Sequence, residues 1–193
     1  MRKAEISRKT KETAISLRLN LDGKGACKAK TGVGFLDHML DLLARHGGLD
    51  LTVTAKGDVH VDDHHLVEDV GIVLGQALKQ SLGKKEGIAR YGWATVPMDE
   101  ALVMCAVDLG GRPYLAYGLE LPAKRVKGFD TELIEEFLRA VVNAAGMNLH
   151  LRQLDGRNTH HILEAAFKAF ARALGQAVAP SGKRGVPSTK GVL

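Results

Sequence analysis

Two imidazoles and a carboxylate fall within five residues at His64-His65-Leu66-Val67-Glu68, and the same pattern returns as His160-His161-Ile162-Leu163-Glu164. On a helix, positions i, i+1 and i+4 point about 0°, 100° and 40° around the axis. Glu68 can therefore share an ion with either histidine, while the two imidazoles diverge. Adjacent histidines that diverge are more simply assigned to two metal sites than to one. Imidazole with carboxylate and no thiolate suits Mn²⁺, Fe²⁺ or Zn²⁺. Asp58, Asp62 and Asp63 precede the first cluster and can accept hydrogen bonds from ring N–H groups. A single copy would also read as a solvated helix start, its carboxylate favoured by the macrodipole. Two copies in a duplicated chain weigh against that, because exposed imidazoles have no packing reason to persist.

The elements that must position these groups also repeat. Glu12 with the apolar stretch to Leu21, Asp22 and Gly23 matches Glu100 with the stretch to Leu109, Gly110 and Gly111. Leu36-Asp37-His38-Met39-Leu40 matches Ile134-Glu135-Glu136-Phe137-Leu138, which sets Glu136 opposite His38. The chain thus reads as α/β (α+β), built from duplicated half-domains over 1–84 and 85–179 with a basic tail over 180–193. In the first half, Ile15–Leu21 alternates as a strand and Phe35–His46 is an amphipathic helix ended by Gly47-Gly48. Leu49–Ala55 is a strand, and Asp62 or Asp63 caps a helix with the stripe Val67, Val70, Leu74 and Leu78. In the second half, Ala101–Leu109, Tyr114–Leu119 and Met147–Gln153 are strands. Asp130 or Thr131 starts a helix to about Ala145, and Asn158 or Thr159 caps the last one, with Phe167, Phe170 and Leu174 buried.

Composition narrows the function classes. The 193 residues are 45% hydrophobic and 25% charged, which fits a folded chain rather than a disordered one. No apolar run is long enough to span a membrane, and the basic N-terminus lacks the apolar stretch of a secretory signal. Cys27 and Cys105 form no CxxC motif, so a reducing, cytoplasmic setting is expected. The net charge of +5 comes from 27 basic residues dispersed among 22 acidic ones. Nucleic-acid binding wants those cations clustered, so a small anionic substrate suits the excess better.

The strings GVGFLDHMLDLLARHG, GDVHVDDHHLVEDVGIVLGQAL, PMDEALV, DLGGRPY, HHILEAAFKAFARAL and PSTKGVL resemble the imidazoleglycerol-phosphate dehydratase family, over nearly the whole chain. The resemblance implies two mixed sheets packed around a helical bundle, and dehydration of imidazole-glycerol 3-phosphate to imidazole-acetol phosphate in histidine biosynthesis. It implies Mn²⁺ at two sites per subunit and a homo-oligomeric shell of 24 subunits with octahedral symmetry, with neither nucleic acid nor membrane as partner. The family's metal ligands fall on His38, His64, His65, Glu68, His160, His161 and Glu164, and one further position, a histidine in many members, falls on Glu136. Its substrate contacts fall on these ligands (Glu136 aside) and on Glu12, His46, Arg90, Arg112, Ser188, Thr189 and Lys190. The reaction takes a proton that no carbonyl acidifies, so charge must be stabilised in the substrate's imidazole while the hydroxyl leaves. A carboxylate must accept that proton, and Glu12, then Glu68 or Glu164, are the candidates.

Overall fold

The computed structural model describes residues 2–193. The first half runs β1 (Lys3–Lys9), β2 (Thr13–Asn20), β3 (Cys27–Lys30), α1 (Gly34–Gly47), β4 (Asp50–Gly57) and α2 (His64–Leu82). The second half repeats that order as β5 (Tyr91–Met98), β6 (Ala101–Asp108), β7 (Tyr114–Gly118), α3 (Leu133–Ala145), β10 (Asn148–Asp155) and α4 (Thr159–Val178), with a hairpin of β8 (Arg125–Val126) and β9 (Phe129–Asp130) before α3. The two four-stranded sheets have equivalent orders, β1-β2-β4-β3 and β5-β6-β10-β7. Each is mixed: β3 lies parallel to β4 and β7 to β10, and the other pairs are antiparallel.

Three strands carry too little apolar alternation to show in the sequence. In the edge strand β1 only Ala4 is buried, and the four-residue β3 is also an edge. In β5 the buried positions are Gly92 and Ala94, small because α4 lies directly on them: a Cβ at Gly92 would sit 1.9 Å from the Ala173 carbonyl oxygen. The expected start of the third helix at Asp130 or Thr131 is corrected to Leu133. Asp130 instead pairs with Arg125 across the β8–β9 hairpin, and the Thr131 hydroxyl donates to the Ala123 carbonyl.

The helices fill the space between the sheets. Helix α2 packs on β1, β2 and β4 and against α3, while α4 packs on β5, β6 and β10 and against α1. The stripes Val67, Val70, Leu74 and Leu78 of α2 and Phe167, Phe170 and Leu174 of α4 are buried, so the 3.6-residue period correctly identified the inward faces. Where α1 crosses α4 the backbones nearly touch, since a Cβ on Gly175 would lie 2.7 Å from the Gly47 carbonyl oxygen. Gly175→Ala should gain at most about 1 kcal/mol of helix propensity yet lose about 2–3 kcal/mol to overpacking against a backbone atom that cannot rotate away. Urea unfolding should therefore show a net loss of stability. A variant as stable as the parent would mean that α1 slides freely along α4.

Candidate active site

The N-terminus of α4 is set by Asn158, whose side-chain oxygen accepts from the backbone amides of His160 (2.9 Å) and His161 (3.4 Å). That cap starts the helix so that His160 and Glu164 stand one turn apart on a single face. The packing of α1 against α4 brings in His38. Its Nε2 lies 2.8 Å from Glu164 Oε1, and His160 Nε2 lies 3.0 Å from the same oxygen. Lys168, one turn further along α4, donates to Glu164 Oε2 at 2.6 Å. Burial pushes the Glu164 carboxyl up, but the bonds from Lys168, His38 and His160 outweigh it and hold the group at about 2. The ligand atoms of His38, His160 and Glu164 all lie within 4.8 Å of one another, and among the described residues this is the one group of three spaced to hold an ion. Both imidazoles line a cavity of about 660 Å³ with Phe35, Asp63 and the Val126–Phe129 turn.

The neighbouring histidines diverge as the helical geometry requires. The rings of His160 and His161 are 6.3 Å apart at 80°, and those of His64 and His65 are 6.2 Å apart at 80°. His161 Nδ1 lies 2.7 Å from Glu100 Oε2, while Glu100 Oε1 accepts the amides of Asn158 (2.7 Å) and Arg157 (3.2 Å). These bonds hold Glu100 at about 2, the His161 contact contributing most. His65 Nδ1 lies 3.0 Å from Asp58 Oδ2, the ring partnership foreseen for Asp58, with the exposed Glu12 at 3.9 Å. Asp62 accepts the His64 amide instead, and Asp63 occupies the cap position of α2 without a side-chain bond. Helix α3, which bears Glu136, packs on α2, which bears His64 and Glu68. Those three side chains do not come within the spacing one ion needs.

A second cavity, also about 660 Å³, is lined by Arg90, Arg112, Ser188, Thr189 and Lys190, together with Lys79 and Lys85. Arg90 has φ 72° and directs Nε and Nη2 to Asp108 (2.7 and 3.2 Å) and Nη1 to the Pro187 carbonyl (2.8 Å), which pins the tail. Its guanidinium is thus already engaged, whereas Arg112 and Lys190 are exposed. The Arg90 amide donates to the Ala177 carbonyl in the last turn of α4. At 1.5 Å per residue, Ala177 stands about 20 Å from Glu164 along that helix. His46 joins neither group; burial, then the charges of Lys168, Arg172 and Arg45, lower its pKa.

Glu100, Lys168 and Asp108 were not singled out from the sequence as functional. The signal for Glu100 was its repeat partner Glu12, and that for Lys168 was its position four residues beyond Glu164.

These features define a class: a duplicated α/β protein that gathers imidazole and carboxylate donors at one end of its helical layer and cationic groups at the other. A profile of the imidazoleglycerol-phosphate dehydratase family matches residues 31–174, and the chain belongs to that family of hydro-lyases in histidine biosynthesis. It is 60% identical over 193 residues to the imidazoleglycerol-phosphate dehydratase of Desulforamulus reducens, covering 100% of this chain and 98% of that one. The Prochlorococcus marinus enzyme of the same name is 58% identical, over 100% of this chain and 93% of its own. Among solved structures, imidazoleglycerol-phosphate dehydratase from Staphylococcus aureus superposes with a TM-score of 0.84 at 44% identity, covering 92% of this chain and 99% of that one. The Pyrococcus furiosus structure gives 0.85 at 39% identity, over 97% and 100%. Among the described residues no helix is long and apolar enough to cross a membrane.

Asn158→Ala should cost about 1 kcal/mol through loss of the cap. Amide exchange at His160 and His161 should quicken in that variant, whereas unchanged protection there would show that neighbouring contacts, not the cap, order the start of α4.

Proposed function

We propose that this chain removes water from imidazole-glycerol 3-phosphate to give imidazole-acetol phosphate, as a Mn²⁺-dependent homo-oligomer of the cytoplasm. The observation that carries the metal dependence is the convergence of His38, His160 and the ionised, buried Glu164. The donor set of imidazole and carboxylate without thiolate fits Mn²⁺. His38, His160 and Glu164 would hold one ion, with His64, His65, Glu68, His161 and Glu136 available to a second. Bound there, Mn²⁺ supplies Lewis acidity toward the substrate's imidazole.

The remaining work falls to the protein's own groups. Glu164, held ionised by Lys168, is suited to ligation rather than proton transfer. Glu12 is exposed and its carboxylate stands 3.9 Å from the nearest imidazole, which leaves it free to take the proton from the substrate carbon. Arg112, Ser188, Thr189 and Lys190 receive the phosphate, and Arg90, tied to Asp108 and Pro187, holds the tail in place for them.

The separation of these two ends supports sharing between copies. A substrate with three carbons between ring and phosphate cannot bridge about 20 Å along α4. The metal group of one copy is therefore completed by the phosphate cavity of another, in keeping with the 24-subunit octahedral shell that family resemblance implies.

Removing metal with a chelator should abolish dehydration and split the oligomer together, with Mn²⁺ restoring both. A chelated protein that keeps full size and full activity would refute the metal dependence. In the same assay, appearance of the keto product with phosphate retained is expected. Release of inorganic phosphate in its place would mean phosphoester hydrolysis. Arg112→Lys should raise KM about tenfold or more, with Mn²⁺ content unchanged, because the bidentate fork is lost while the charge stays. An unaltered KM would remove Arg112 from the phosphate site.

A further inference from the structure

The two halves solve one problem with carboxylates from different places. In the second half, Glu100 at the β5–β6 turn lies 2.7 Å from His161 Nδ1 and is itself fixed by the Asn158 and Arg157 amides. Its repeat partner Glu12, at the β1–β2 turn, stands back at 3.9 Å from His65 Nδ1. There the ring is met by Asp58, after the end of β4, at 3.0 Å. Asp58 Oδ1 is buried without a partner, so among the described residues His65 is the one side-chain hydrogen bond of that carboxylate. In the second half Gly156 corresponds to Gly57, each packing against the same position of the following helix (Ile162 and Leu66), so the residue after it, Arg157, offers no carboxylate in place of Asp58. Each half thus supplies one carboxylate to the same ring nitrogen, by alternative routes.

A carboxylate at Nδ1 accepts a hydrogen bond from the Nδ1–H group, so the neutral ring keeps its lone pair on Nε2. His161 Nε2 has Asp99 Oδ2 at 3.7 Å, beyond hydrogen-bond reach, and stays available. We propose that Glu100 and Asp58 are positioning residues that hold His161 and His65 as Nδ1–H tautomers and present Nε2 to a metal ion. Transfer of this task to Asp58 in the first half releases Glu12 from it. This rests on the metal-dependent function proposed above.

The tautomers can be read without metal. In metal-free protein at mildly alkaline pH, ¹⁵N-detected imidazole correlations should show His161 and His65 protonated on Nδ1. In Glu100→Gln the Asn158 and Arg157 amides keep the side-chain oxygen and turn the NH2 toward Nδ1, so the His161 ring should move toward the Nε2–H form while His65 keeps its own, and Asp58→Ala should do the converse. Mn²⁺ affinity, measured by titration calorimetry on the same proteins, should fall about tenfold or more in each variant. The Asp58→Ala variant carries the test alone should Glu100→Gln fail to fold, since Asp58 anchors no loop amide through its side chain. Nε2–H rings in the unaltered protein, tautomers indifferent to both substitutions, or shifted tautomers with unchanged Mn²⁺ affinity would each overturn the proposal. Failure of the metal reading shows separately, as an unaltered protein with Nδ1–H rings that binds no Mn²⁺, and it would take the assignment of these residues down with it.

Discussion

The crossing of α1 over α4 is the contact on which the site depends. It is close because Gly47 and Gly175 meet backbone to backbone, and a single methyl group there would collide with a carbonyl oxygen. Some turns away along the same pair of helices, that closeness becomes the 2.8 Å approach of His38 to Glu164. Leu36, Met39, Leu40 and Leu43 bury the intervening face of α1 and leave it one orientation. Side chains separated by more than a hundred residues in sequence are thereby held at a spacing that suits a single ion, and under the proposed function this preorganisation lowers the ordering cost of binding it.

Duplication supplies the scaffold twice, and side-chain changes then divide the labour. The same strand order and the same helix pairing recur in both halves. The residues at equivalent positions do not have equivalent surroundings. His38 meets α4 donors, whereas Glu136 joins no close group; Glu100 is bound to His161 and two amides, whereas Glu12 is exposed. A multiply bonded carboxylate is a fixed charge, and an exposed one at a turn keeps its freedom to move. Under the proposed function, that difference lets one repeat contribute structure where the other contributes chemistry.

Much of this was legible in the sequence because it depends on period and spacing. The paired His-His-x-x-Glu clusters, the divergence of adjacent imidazoles and the inward stripes of α2 and α4 follow from 3.6 residues per turn. What could not be read depends on contacts between distant segments. The strand β5 is hidden because its buried residues are Gly92 and Ala94, chosen by the nearness of α4 rather than by hydrophobicity. The start of α3 is displaced because Asp130 and Thr131, good capping residues by type, are used by the β8–β9 hairpin and the Ala123 carbonyl. The bonds of Arg90 to Asp108 and to the Pro187 carbonyl join segments far apart in the chain and leave no periodic signal.

Under the proposed function, the metal group and the phosphate cavity of one chain serve different substrates, each site being completed by another copy. That sharing is tested by co-assembling His160→Ala with Arg112→Ala, one variant damaged at each end of α4. Each alone should be inactive, and an equal random mixture should recover roughly a quarter of native activity, because sites that draw both ends from intact partners then form. Mixed assemblies as inactive as either parent would contradict the account and place both ends of the site within a single chain.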